Sequence, residues 1–254
     1  EIGVRLVGSE MCIRDSNYPP TNSNIGTALG MDSPESVRLL LSVLKREGYV
    51  IDHIPENSKC FMEEVIACAT NDRRFMTDKQ IKGALGKVGL EEYKKLFDNL
   101  PKDVREKMTE AWGEPLGNVF NYDEKLLIPG LANGNVIITV QPPRGFGEEC
   151  GKIYHDPVAP PTHHYLAFYY WIREIWRADA VIHVGTHGSV EWLPGKAAGL
   201  SKGCYPDICI GDLPNLYHYI VTVIGEGIQA KRRSAACLLS LIHISEPTRR
   251  TPIS

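Results

Sequence analysis

The sequence predicts an α/β fold, a parallel-sheet βαβ core carrying a helical insert. Three observations lead there. Asn135–Gln141 (NVIITVQ) is a β-branched apolar run bounded by turn residues, as a buried strand requires. His163–Trp176 (HHYLAFYYWIREIW) is an aromatic-rich helical stretch, and Ala178–Val184 (ADAVIHV) is a second strand-like run. Strand, loop, helix and strand in that order make a βαβ unit, whose strands run parallel.

Taken in order, Asn17 to Asn24 (NYPPTNSN) is a turn cluster, followed by the Gly-containing IGTALG. Asp32-Ser33-Pro34-Glu35 reads as a helix start with Pro in the first turn. Across Ser36–Glu47 the apolar residues Val37, Leu40, Leu41 and Leu44 keep a helical period, and Gly48 closes it. Tyr49–Ile54 alternates like a short strand. Residues 61–125 are charged and helical in pattern, broken by Gly83, Gly86, Gly89, Pro101 and Gly113, and form the insert. After the first core strand, residues 142–162 are a Pro/Gly-rich loop. Ligands of parallel sheets sit beyond the carboxyl ends of the strands. The loops QPPRGFG (141–147) and GTHG (185–188) are therefore expected to converge on one site.

Composition narrows the function classes. With 254 residues, 43% hydrophobic and 23% charged, the chain is ordinary globular protein. The net charge of −3 and the dispersed basic residues point away from nucleic acid and anionic membranes. No apolar run is long enough to span a bilayer. Seven cysteines without a C-x-x-C pair suggest free thiols in a reducing, cytoplasmic setting.

Both ends have a feature that protein physics does not explain. Val7–Ser16 (VGSEMCIRDS) can be encoded so that its reverse complement, shifted by one base, reads LSLIHISEPT, which is Leu239–Thr248. An inverted nucleotide repeat of this kind resembles a translated transposon adapter. Residues 1–16 and 239–254 are therefore set aside as adapter-derived, leaving 17–238 for fold reasoning. Segments of that origin are expected to pack poorly.

The densest chemistry is His183-Val-Gly-Thr-His187-Gly-Ser-Val-Glu191-Trp192-Leu-Pro-Gly-Lys196. Two imidazoles and a carboxylate within nine residues can bind a divalent metal or move protons. The bland alternative is a buried, satisfied His183 and a Glu191 capping a helix; the trio at a strand's carboxyl end favours function. A second cluster, Tyr154-His155-Asp156-Pro157 with Pro160-Pro161-Thr162-His163-His164, offers His155 and His163, though Thr162 fits a helix cap better. Tyr165, Phe168, Tyr169 and Trp171 fit core at helical spacing. Lys231-Arg232-Arg233 fits a solvated helix face. No phosphate-cradling G-x-x-x-x-G-K-[ST] or G-x-G-x-x-G is present.

The stretches NYPPTNSNIGTALGMDSPESV, VQPPRGF, YHDPVAPPTHHYLAFYYWIRE, ADAVIHVGTHGSVEWLPGK, IGDLPNLYHYIV and GEGIQAKRRSAA resemble the family of cobaltochelatase and magnesium chelatase large subunits. H-x-G-x-H-G-x-x-E-W-L-P-G-K is the most specific of them, and YHDP with PPTHHYLAFY is closer to the cobalt branch. The resemblance implies an ATP-dependent chelatase that inserts Co²⁺ into a corrin-type ring, as in cobalamin biosynthesis. Its large subunit would hold the tetrapyrrole while AAA+ partner subunits hydrolyse ATP. Glu191 is the expected base for the ring N–H protons, with His183 and His187 delivering or orienting the metal. Arg144 is expected to pair with a ring carboxylate, and His155, His163, Trp192 and Lys196 to line the ring. Three rivals stand beside this. One is a magnesium chelatase inserting Mg²⁺ into protoporphyrin IX on the same scaffold. Another is a non-catalytic tetrapyrrole carrier or sensor. The third, a stand-alone zinc hydrolase, fits the His/Glu cluster alone.

Overall fold

Val136–Val140 is buried at every residue, with alternate side chains serving two different cores. A strand covered on both faces must be apolar throughout, and VIITV, with its single threonine, meets that demand. In the computed structural model, the described residues are 10–13, 25, 27–28, 31–68, 70–72, 76–145, 153, 156–185, 188–219 and 224–240. Their main sheet has six strands in the order β11 (Ala236–Ser240), β10 (Asn215–Tyr219), β9 (Val181–Val184), β1 (Glu10–Ile13), β8 (Val136–Val140) and β7 (Leu131–Asn133). All neighbours pair in parallel except β7, which is antiparallel to β8. The parallel α/β core is as expected.

One detail of the expected βαβ unit changes. The strands β8 and β9 are not neighbours, because β1 lies between them and pairs with both. The expectation that residues 1–16 pack poorly thus does not hold for the backbone of Glu10–Ile13, which lies inside the sheet. The slot is closed by backbone hydrogen bonds from two parallel neighbours, which demand an extended segment rather than particular side chains. Leu239 and Ser240 likewise continue β11 at the sheet edge. The remainder of both end segments, and the Asn17–Asn24 turn cluster, lie outside the described residues.

On one face, α1 (Ser33–Arg46) and α2 (Ser58–Ala67) pack Val37, Leu41, Phe61 and Val65 against Val136, Ile138 and Val140. Asp32 caps α1 by accepting from the Glu35 N–H at 3.0 Å, and Gly48, at φ +97°, follows its end. On the other face lies α6 (His163–Tyr170), capped by the Thr162 hydroxyl. It continues as a π-helix over Trp171–Trp176, which ends on Arg177 in the left-handed conformation. Helix α6 is buried on all sides, and each fully buried large apolar side chain in it contributes about 1.5–3 kcal/mol.

The insert is only partly helical. It holds α3 (Asp78–Lys82), α4 (Leu90–Phe97) and α5 (Lys102–Trp112), but also an antiparallel sheet of β4 (Gly86–Gly89), β6 (Lys125–Ile128) and β5 (Asn121–Tyr122). Of the expected breaks, Gly86 and Gly89 bound the strand β4, while Gly83, Pro101 and Gly113 stand at helix ends. Tyr49–Ile54 is not a strand either. It is an extended segment held by side chains of the β7–β8 turn. Asn133 accepts from the His53 N–H and donates to the His53 carbonyl, while Asn135 accepts from the Val50 N–H. Gly134 carries φ +67°, and a Cβ there would meet the Val50 carbonyl oxygen at 2.0 Å, so only glycine lets the segment approach. No helix among the described residues is long and apolar enough to cross a membrane.

Candidate functional site

Because the strands are parallel, Gln141 and Gly185 both leave the sheet at one edge. Between them and β10 the structure assembles a buried polar group. Glu191 lies in the short 3₁₀ turn Val190–Trp192 and has 0% exposure. Its Oε1 accepts from the Gly188 N–H at 3.2 Å and from the Tyr217 hydroxyl at 2.9 Å. Tyr217 sits opposite His183 in the β9–β10 register, and the two rings stack at 5.8 Å and 22°. His183 and Glu191 are thus brought to the same buried tyrosine.

Two further anchors fix the turn. Arg233, at the end of α8 (Ile224–Arg233), donates to the carbonyls of Glu191 at 2.9 Å and Leu193 at 2.7 Å. It was expected on a solvated face with Lys231 and Arg232, which are exposed as anticipated. The second anchor is Gln141. Its Oε1 accepts from the N–H and hydroxyl of Ser189, and its Nε2 donates to the hydroxyls of Tyr165 and Tyr169. Tyr165 also bonds the Ser189 hydroxyl at 2.8 Å. The two tyrosines are core, as the helical spacing indicated, and their polar ends do a second job there.

Beyond Trp192, which is 37% exposed, the Pro194-Gly195-Lys196 corner wraps Cys204. Gly195 stands at φ +149°, where a Cβ would lie 2.8 Å from that of Cys204. Burial pushes the Cys204 thiol up. The N–H groups of Lys196 and Ser201, the Ser201 hydroxyl and the Lys196 charge outweigh that and hold it below the usual thiol range. The Lys196 side chain itself is exposed.

Other expected site residues are placed differently. Arg144 is buried, and its guanidinium donates to the carbonyls of Asp156 at 2.8 Å and Ala159 at 3.3 Å, bracing the loop before α6. His163 has both ring nitrogens engaged inside the core, with the Tyr93 hydroxyl at 2.9 Å and the Gly113 carbonyl at 3.0 Å. Burial lowers its pKa below the usual imidazole value. His155 and His187 lie outside the described residues, so the expected metal trio is seen only as His183 and Glu191. Among the described residues no three His, Cys, Asp or Glu side chains come together as a metal site.

Sequence reasoning missed Tyr217, Arg233, Gln141 and Ser189. The signal for Tyr217 was available, since IGDLPNLYHYIV was among the resembling stretches and places a tyrosine in a strand-like run.

The CobN/Magnesium Chelatase family model matches residues 12–251. The chain belongs to the CobN/magnesium chelatase family. Within that family it is 52% identical over 231 residues to an uncharacterised protein of Methanocaldococcus jannaschii, covering 91% of this chain and 18% of that one. It is 37% identical to the aerobic cobaltochelatase subunit CobN of Pseudomonas aeruginosa, covering 92% and 18%. The chloroplastic magnesium-chelatase subunit ChlH of Oryza sativa subsp. indica is 34% identical, covering 92% and 16%. The fold superposes on the catalytic subunit of cobaltochelatase from Mycobacterium tuberculosis with a TM-score of 0.78 at 36% identity, covering 92% of this chain and 19% of that one. The chain therefore spans about a fifth of the length of these family members.

Proposed function

We propose that this chain is the part of an ATP-dependent chelatase large subunit that receives protons from a corrin-type ring as Co²⁺ enters it. The observation that carries the reading is the buried Glu191 carboxylate, held at the carboxyl edge of the parallel sheet beside His183. Inserting a metal displaces the inner-ring N–H hydrogens as protons, so a base must stand near the macrocycle. A carboxylate fed by a backbone N–H and a phenol is fixed before the reaction starts, and its orientation costs nothing during it. His183 and His187 orient the incoming ion, since imidazole suits cobalt better than magnesium. Trp192 and Lys196, exposed on the same segment, face the ring at its rim. Arg144 and His163 act on the fold, the first by bracing the 156–159 loop and the second by joining α6 to α4. AAA+ partner subunits in the cytoplasm supply ATP hydrolysis.

Magnesium insertion into protoporphyrin IX on the same scaffold remains the second reading, supported by the 34% identity to the rice subunit. The same base serves both metals. Glu191→Gln in the full-length large subunit, assayed with its ATPase partners, is expected to lower metal insertion at least about 100-fold. Ring affinity, read by fluorescence quenching, should stay within about three-fold of the parent because the swap is nearly isosteric. A carrier that does no chemistry gives no insertion in either form. Undiminished insertion by the variant removes Glu191 as the base.

A further inference from the structure

We infer that Tyr217 is a positioning residue for the base: its hydroxyl holds the Glu191 carboxylate while its ring holds the His183 imidazole. The inference rests on the chelatase reading above. Tyr217 is 2% exposed and packs with Ala230 of α8 and Ala236 of β11, an apolar pocket that phenylalanine would fill as well. What phenylalanine lacks is the hydroxyl, and that atom lies 2.9 Å from Glu191 Oε1. The ring beneath it stacks on His183 because parallel pairing of β9 with β10 sets the two residues side by side.

Two other described contacts on this turn act differently. Arg233 donates to the carbonyl oxygens of Glu191 and Leu193, so its hydrogen bonds fix the backbone of the turn rather than the carboxylate. The Gly188 N–H, at 3.2 Å, comes from the same loop as the carboxylate it meets and moves with it. Tyr217 comes from a separate strand of the sheet, so it ties the carboxylate to the rigid part of the molecule. Groups that orient a reacting side chain in this way are worth about 10–100-fold when removed. One side chain therefore sets both the angle of the base and the plane of the imidazole next to it.

The test is Tyr217→Phe in the full-length large subunit with its ATPase partners, with Glu191→Gln measured alongside. The phenylalanine keeps the apolar filling and the stack, so the fold is retained. The expected result is a fall in kcat of about 10–100-fold, with KM for ring and metal within about two-fold of the parent. A purely structural role would weaken ring binding together with turnover, and that pattern overturns the inference. Parental kcat in Tyr217→Phe while Glu191→Gln is inactive overturns the inference alone. Parental kcat in Glu191→Gln removes the base reading, and the role of Tyr217 goes with it.

Discussion

His164 is enclosed between two partners that fix its ionisation. Its Nε2 lies 2.7 Å from the Leu127 carbonyl, and its ring stacks on Phe120 at 4.5 Å. Burial pushes its pKa down to about 4, with the Leu127 hydrogen bond opposing the shift. The folded chain therefore keeps His164 neutral at pH values where the unfolded chain protonates it. Stability from this residue is complete above the unfolded value of about 6.5 and is lost as pH falls from there to about 4. The loss is on the order of 3 kcal/mol across that window. His163 shifts in the same direction and adds to it. Replacing His164 with Gln removes its titration, so urea unfolding followed between pH 7 and 4 should show a shallower decline. A variant with the parental slope would place the acid sensitivity elsewhere. At this scale the sequence made the candidate site residues visible, His183 and Glu191 above all. It did not show that Glu191 is closed off from solvent, because that depends on Tyr217 and Arg233, which lie 26 and 42 positions further along the chain.

Among elements, the joint between the end of β8 and the 188–191 turn decides whether the site holds its shape. Gln141 makes that joint with four hydrogen bonds, two to Ser189 and one each to Tyr165 and Tyr169. Its buried position leaves little room for water to replace them. Gln141→Leu should destabilise the chain on the order of 3 kcal/mol, read as a lower urea midpoint at constant slope. A change below about 0.5 kcal/mol would mean the joint is held by packing alone. That the end of β8 meets the 188–191 turn was legible from the βαβ order, because parallel strands send their loops to the same edge. The tether was not, since a glutamine at a strand end reads equally well as solvent-facing. The same limit applies to Tyr49–Ile54. Its alternation is that of a strand, yet its partners are asparagine side chains of the β7–β8 turn, a choice made 80 or more residues away.

At the scale of the whole molecule, the question is whether about a fifth of a subunit can enclose a macrocycle. A bound ring must be walled on several sides to lose its water, in a cleft of roughly 300–1,000 Å³. Two cavities of the described structure have that order of size and lie elsewhere. One, about 590 Å³, lies between α4 and α5 and is lined by Lys94, Lys102, Arg105 and Glu106. The other, about 410 Å³, lies where β9 and β10 begin, among Arg173, Arg177, Asp179 and Asp212. Neither is lined by His183 or Glu191. In family members about five times as long, the remaining walls would come from the other four-fifths of the subunit. The sequence here also contains neither G-x-x-x-x-G-K-[ST] nor G-x-G-x-x-G, the two glycine-rich patterns that cradle phosphate. The 254-residue chain alone is therefore expected to bind neither a corrin acid nor ATP more tightly than about 1 μM, and to insert no metal. Calorimetry with each ligand in turn measures this directly. Tight corrin binding would mean that these residues already enclose the ring, and the search for its missing walls would move back into this chain. Tight ATP binding would break the division of labour between ring-holding and ATP-hydrolysing subunits on which the proposed function depends.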